Sequence, residues 1–371
     1  MSIPESKRPA VDRALNAAFG TSELDAVKPL TGGLSGALIY KIRVGGVAYL
    51  LRIEGARDAF RDPARWYGCM RLAAAALLAP RVRYADAGDG VAIMEFIPER
   101  SLSLDYPGSR TDLVVEAAQA VRALHAAPAF PPLVDYMDGM DALIGRFQFF
   151  RLLAPEAVGE VLGLYGQLRA AYPTAEGDLV SSHNDLNPRN ILYDGARLWF
   201  VDWEASFLAD RYVDLATLAN VFAQAPGEEE ILLRTYFGAV PDDHQRARLF
   251  LMRQVNHVFY AMIFLNGVAE EQPGLRLGGL AAPDLADLHQ ALGIGDFALE
   301  SREGRLTYGM SRLIAARDGM RSARFAEAIR LVAPPFLPCV AGEEKGAPAT
   351  DPAAGRWSRA TGTGRSPPTA G

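Results

Sequence analysis

The chain reads as an α+β protein of two lobes followed by a tail, and three observations carry that reading. Segments of strand period with tight-turn signals fill the first hundred residues around one main helix, and segments of helix period fill most of the rest. From Pro334 onward the sequence becomes poor in aliphatic residues and rich in Gly, Ala, Pro, Ser and Thr. The boundaries follow from these shifts: an N-terminal lobe over residues 1–97, a C-terminal lobe over 98–334, and a tail over 335–371. The tail cannot bury enough apolar surface to offset its ordering entropy and is expected to be disordered.

Each element has a local reason. Residues 8–20 predict a short amphipathic helix. Residues 37–44 and 47–53 predict a hairpin, because Gly45-Gly46 between them is a two-residue turn signal. An Ala-rich helix is expected over 62–78, closed by Pro80, and a strand over 91–97, stopped at Pro98. Helices are predicted over 111–126, 136–152, 155–172, 212–225, 228–237, 241–270, 283–292 and 304–332. Leu113, Ala117, Val121 and Leu124 mark one such apolar stripe.

Composition narrows the class. A chain of 371 residues can form two lobes with a buried core. Its charge, 38 − 44 = −6, gives no global basic signature for nucleic acid. Cys69 and Cys339 are far apart, which offers neither a disulfide framework nor a paired-cysteine metal site and suits a reducing cytoplasm. The first residues lack a signal-peptide apolar run. The most apolar stretch, 255–268, is interrupted by Asn256, His257 and Asn266 and is too short to span a bilayer. A cytoplasmic protein without membrane insertion is expected.

The chemistry concentrates in residues 182–204. Asp185 is followed five residues later by Asn190, and Asp202 comes just after a short apolar run. Residues 190–193 and 197–201 predict a hairpin around Asp194-Gly195, which returns the chain so that Asp202 faces the cleft that Asp185 and Asn190 face. Asp185 can orient a hydroxyl and accept its proton. Asn190 and Asp202 can hold Mg²⁺ on a nucleoside triphosphate. Upstream, Thr31, Gly32, Gly33, Leu34 and Ser35, with Gly36, form a segment whose backbone amides can approach an anion. It lacks the Lys-Ser/Thr ending of a Walker A loop, and it precedes a strand rather than a helix. Arg52, on the second strand of the next hairpin, is a bidentate phosphate donor.

Together these residues resemble the aminoglycoside phosphotransferase and choline/ethanolamine kinase superfamily over about residues 27–332. His183-Asn184-Asp185, Arg52 and Asp202-Trp203-Glu204 look like the choline-kinase side, and Tyr212 to Ala216 resembles a helix start common to both branches. The resemblance implies a bilobal protein-kinase-like fold, with a small antiparallel-sheet N-lobe and a larger, mostly helical C-lobe. It implies ATP and Mg²⁺ as cofactors and a small-molecule alcohol as substrate. Carried over by position, Asp185 is the catalytic base, and Asn190 and Asp202 are the metal ligands. Arg52 and residues Thr31 to Ser35 meet the phosphates, and Glu95, Phe96 and Ile97 form the hinge that pairs with adenine. Asp214 and His125 are structural. Glu204, Asp210, Glu270 and Arg189 are candidates for contact with substrate.

This chain also departs from the family pattern. The helix over 62–78 has no carboxylate after its first residue to pair with Arg52, so Asp62, Glu54 or phosphate alone must serve. Arg189 stands where the family often has Gly. Ala205 follows Glu204, and no Trp lies between Trp203 and Trp357. A cage for a trimethylammonium group would have to come from Tyr236, Phe237, Phe250, Phe259, Tyr260 or Phe264, whose helical spacing also fits core packing. The expected activity is phosphoryl transfer to choline, ethanolamine or a related amino alcohol. An antibiotic phosphotransferase and a regulatory, nucleotide-binding pseudokinase are the alternatives.

Overall fold

Strand alternation accounts for the two faces of the first sheet. The computed structural model describes residues 3–333, apart from 31–35, 56, 58, 59, 101, 103, 104, 174, 175 and 295. The predicted phosphate loop at 31–35 and the tail over 335–371 therefore lie outside the described residues. In chain order the first elements are α1 (Arg8–Phe19), β1 (Ala26–Leu30), β2 (Leu38–Val44), β3 (Val47–Ile53), α2 (Pro63–Ala75), β4 (Val82–Asp86) and β5 (Val91–Glu95). The strands form one antiparallel sheet in the order β1-β2-β3-β5-β4. The β2–β3 turn needs φ of 56° at Gly45 and 80° at Gly46, which glycine adopts without Cβ strain.

On one face Tyr40, Ile42, Leu51, Ile53, Val91 and Ile93 pack against Val11, Ala14 and Leu15 of α1. The register puts Ile39 beside Arg52 and Lys41 beside Leu50, and it aligns Ala92 and Met94 with Arg52 and Leu50 on the same, opposite face. There Ala92 and Met94 join Trp66, Tyr67 and Met70 of α2 in the larger core. Arg52 and Lys41 thus project toward the α2 side of the sheet. The edge strands β1 and β4 escape sequence reading because they need little alternation. β1 carries Lys28 and Pro29, and β4 carries Arg83, and an edge tolerates both proline and charge.

The remainder is mostly helical: α3 (Arg110–His125), α4 (Tyr136–Phe150), α5 (Pro155–Ala171), β6 (Leu179–Ser182), β7 (Ile191–Tyr193), β8 (Leu198–Phe200), β9 (Phe207–Asp210), α6 (Tyr212–Val221), α7 (Glu228–Phe237), α8 (Asp243–Glu271), α9 (Leu285–Ile294), α10 (Arg302–Arg321) and α11 (Ala323–Val332). β7 and β8 form the predicted hairpin, and β6 pairs with β9. The single helix expected over 304–332 is two helices. Ser322 adopts an extended conformation between them, and its hydroxyl donates to the Gly319 carbonyl at 2.7 Å. No helix among the described residues is long and apolar enough to cross a membrane.

α8 is the central post of this region, flanked by α4, α6, α10 and α11. It crosses α10 closely at Gly309, where a Cβ would stand 2.8 Å from Cγ of the fully buried Leu265. Gly309→Val is therefore expected to lower stability by about 1–3 kcal/mol through overpacking. Urea unfolding should record this as a fall in midpoint at unchanged slope.

Candidate active site

The β6–β9 ladder assembles the site. Ser182 pairs with Phe207, so the loop that follows β6 and the turn that precedes β9 leave the same end of one two-stranded sheet. Asn184 and Asp202 occupy the left-handed region, at φ 64° and 65°. Asn and Asp tolerate it better than other side chains do, yet the conformation holds only where surroundings over-determine it. The main restraint is Asp214 in the first turn of α6, which is fully buried. Its Oδ1 accepts the Asn184 amide at 2.8 Å, and its Oδ2 accepts the His183 amide at 2.8 Å and lies 3.0 Å from His125 Nε2. Burial by itself raises the Asp214 pKa. The His125 hydrogen bond, the two nearby imidazoles and the His183 amide outweigh it and hold the carboxyl below its ordinary range. His125 Nδ1 meets the Tyr236 hydroxyl at 2.8 Å. His183 Nε2 lies 3.0 Å from the Val201 carbonyl, which can only accept, so Nε2 carries the proton. The Val201 amide donates to the Asn190 carbonyl at 3.0 Å.

Asp185 and Asn190 come together as their spacing predicted. Asn190 Nδ2 donates to the Asp185 carbonyl at 2.9 Å and to Asp185 Oδ2 at 3.0 Å. Asp185 Oδ1 accepts from Asn187 at 3.0 Å and from the Tyr260 hydroxyl at 2.7 Å. Burial pushes the Asp185 carboxyl up, with the Asp202 charge adding to it, against the pull of the Asn187 and Tyr260 hydrogen bonds. Tyr260 belongs to α8, and Arg312 of α10 lies 5.0 Å over its ring. Arg312 is buried and donates to the Tyr308 hydroxyl at 2.6 Å and to His257 Nδ1 at 3.0 Å. No carboxylate pairs with it among the described residues. A guanidinium only donates, so His257 accepts through Nδ1, and burial and the Arg312 charge keep that imidazole neutral.

Arg52 joins the sheet to this loop system. Its Nε donates to Glu54 at 2.9 Å, its Nη1 to Asp202 Oδ1 at 3.2 Å, and its Nη2 pairs with Glu204. The guanidinium lies 4.8 Å over the Trp66 ring. The carboxylate that α2 lacks is thus supplied by Glu54, just beyond β3. Asp62 instead caps α2, accepting the Ala64 amide at 2.9 Å. One guanidinium among three carboxylates leaves a formal charge of 1 − 3 = −2, which suits a divalent cation. Asn190, whose Nδ2 is committed to Asp185, would meet a cation through Oδ1, and Asp202 through its carboxylate. Two hard oxygen donors fit Mg²⁺, which keeps waters and substrate phosphates as its other ligands. Arg65 of α2 fastens the turn after Asp202 by donating to the Glu204 carbonyl at 2.7 Å and to the Ser206 carbonyl.

The other predicted residues fall in several places. Glu95 ends β5, its amide donating to the Arg81 carbonyl at 2.9 Å and its carboxylate accepting from Arg83 at 2.7 Å. Phe96 lies under Lys41, whose Nζ is 4.0 Å from the ring, and Ile97 leads to Arg100, whose amide bonds the Tyr193 carbonyl. Arg189 forms a surface pair with Glu300 at 3.1 Å. Asp210 is committed to Arg248, the Tyr172 hydroxyl and the Tyr212 amide, a network that holds β9 against α8. Glu270 pairs with Arg146. Of the six late aromatics, Tyr236 serves His125, Phe250 lies under Arg324 at 4.6 Å, and Phe264 packs on Tyr308. Only Tyr260, with Phe259 at 5.3 Å, reaches Asp185, and Tyr136 stands 6.0 Å beyond Phe259.

Removing the loop anchor should be costly. Asp214→Ala leaves two loop amides and His125 without their acceptor and is expected to destabilise by about 3–5 kcal/mol. Because the folded pKa is lowered, the ionised group's contribution is fully present above the ordinary carboxylate range and is lost as pH falls through the folded value. Urea unfolding of wild type and Asp214→Ala should give a stability gap that is constant near neutrality and narrows below about pH 4.

The chain is similar to several known proteins. Residues 26–250, from β1 into α8, match the phosphotransferase enzyme family (APH). Protein LicA of Haemophilus influenzae is 32% identical over 105 residues, 27% of this chain and 38% of LicA, so the match spans under two fifths of that protein's length. A choline/ethanolamine kinase family protein from Mesorhizobium loti has a similar structure, with a TM-score of 0.64 at 22% identity over 88% of this chain and 99% of that one. APH(2″)-IIa, in its ternary complex with streptomycin and ATP, gives 0.53 at 13% identity over 71% and 91%. The fold is therefore the kinase-like one that the sequence predicted. With the first sheet, the Asp185–Asn190 loop and the turn after Asp202 all inside the matched region, the chain belongs to the phosphotransferase enzyme family.

Proposed function

We propose that the protein transfers the γ-phosphoryl group of ATP, with Mg²⁺, to the hydroxyl of a small molecule, and that choline, ethanolamine or a related amino alcohol is the favoured acceptor. One observation carries this reading: the Asp185–Asn190 pair and Asp202 converge at one end of the β6–β9 ladder, and Arg52 reaches Asp202 at 3.2 Å. The cleft lies between an N-terminal lobe ending at Ile97 and a C-terminal lobe over residues 98–334. Adenine would pair along Phe96 and Ile97, since the Glu95 amide already serves Arg81. Arg52 would offer its Nη groups to the phosphates in place of Asp202 and Glu204, with residues 31–35 as the covering loop. Mg²⁺ bound by Asn190 and Asp202 would neutralise phosphate charge. Asp185 would orient the acceptor hydroxyl and take its proton. The low cysteine content supports a cytoplasmic location.

The acceptor preference rests on the likeness to the Mesorhizobium loti protein and on the rings beside Asp185. Arg312 already occupies a face of Tyr260, which leaves Tyr136 and Phe259 as the rings for a substrate cation. An aminoglycoside acceptor is the second reading, supported by the likeness to APH(2″)-IIa.

A screen of amino alcohols, sugars, aminoglycosides and amino acids, read by ADP release, tests both readings. Asp185→Asn is expected to lower kcat by about 10²–10⁴-fold with the fold intact. Undiminished turnover in that variant would refute the assignment. The base must be ionised and burial raises its pKa, so kcat/KM should fall on the acid side at a pH above the ordinary carboxylate range.

A further inference from the structure

The partners of Arg52 are arranged in an order that its phosphate-binding role does not require. Glu54 follows Arg52 by two residues, so both side chains leave the same face of one extended segment. Glu54 is fixed twice. Its amide donates to the Gly90 carbonyl at 2.8 Å, and its Oε1 accepts both Arg52 Nε at 2.9 Å and the Tyr67 hydroxyl at 3.1 Å. Both side chains of the ion pair are nearly buried, at 8% and 9% exposure, so the pair is little screened by solvent. Burial and the Glu54 charge raise the Tyr67 pKa, which keeps the phenol protonated and donating. Trp66, next to Tyr67 on α2, forms the platform under the guanidinium.

We infer that Glu54 and Tyr67 are the positioning pair for Arg52 and replace a carboxylate on α2. The inference rests on the reading of Arg52 as a phosphate ligand. With Nε bound to Glu54 and the plane stacked on Trp66, the guanidinium has one orientation left, with Nη1 and Nη2 aimed at Asp202 and Glu204. Those are the two nitrogens that incoming phosphate would engage in bidentate fashion. A carboxylate borne by a helix sets its cation only while that helix is docked. Here the carboxylate travels with the strand that carries Arg52, and α2 contributes a neutral O–H and a ring. The charge that sets Arg52 is therefore carried by its own strand, and α2 adds only the neutral contacts.

The test compares ATP with adenosine, which lacks the phosphates, by calorimetric titration of the full chain alongside thermal unfolding. Glu54→Gln is expected to weaken ATP binding about tenfold or more and to leave adenosine within about twofold. Tyr67→Phe should weaken ATP about threefold alone and add little in the Glu54→Gln background. Equal loss of ATP and adenosine binding, or a lower Tm with both affinities unchanged, would overturn the inference. Wild-type protein that binds adenosine but gains nothing from the triphosphate would instead overturn the phosphate role of Arg52, and this inference with it. Should Glu54→Gln fail to fold, the Tyr67→Phe affinity ratio decides alone.

Discussion

Two consecutive amides, those of His183 and Asn184, point at one buried carboxylate, and most of the cleft hangs from that contact. Asp214 sits in the first turn of α6, where the helix end favours negative charge, and His125 supplies a third donor from α3. With the loop start pinned, Asn184 is held at positive φ and Asp185 is turned outward toward Asn190 and Tyr260. The same loop reaches the returning strand through His183 and Asn190, on either side of Val201, which sets where Asp202 begins. An error in the Asp214 contact would therefore displace the proposed base and the proposed metal ligands together.

The side proposed to meet phosphate depends on a second, smaller constraint. Arg52 is surrounded by Glu54, Asp202 and Glu204 and stacked on Trp66, so its charge is compensated before any ligand arrives. Removing one of these carboxylates would leave the buried guanidinium less fully compensated, which is costly. Arg65 adds a brace from α2 to the Glu204 and Ser206 carbonyls. The sheet and α2 are thus each joined to the turn after Asp202 by an arginine, Arg52 and Arg65.

What the sequence made legible was local. The β7–β8 hairpin, the Asp185–Asn190 spacing and the β2–β3 turn are written in adjacent residues, and each appears where its turn chemistry requires. Edge strands β1 and β4 were silent because proline and charge on an edge erase the alternation that marks a strand. The break at Ser322 was silent because the apolar stripe runs on through it. Glu54 was one of three possibilities for Arg52 until the register showed which carboxylate lies on its face. Tyr260 read as core, since helical spacing says which face is buried and nothing about which hydroxyl meets which carboxylate. Arg312 carries no motif at all, and its proximity to Tyr260 exists only through the crossing of α8 and α10.

α8 has 29 residues and so runs about 44 Å. The family match ends at residue 250, inside its first third, while Tyr260 touches Asp185 from the part beyond. One continuous rod, with no linker in it, thus carries the matched region on to the residue that meets Asp185. The early part of α8 is tied to β9 through Arg248 and Asp210, and the helix passes that placement on to Tyr260. A tilt of α8 where it meets β9 would therefore be felt some twelve residues further on, as a displacement of the Tyr260 hydroxyl from Asp185.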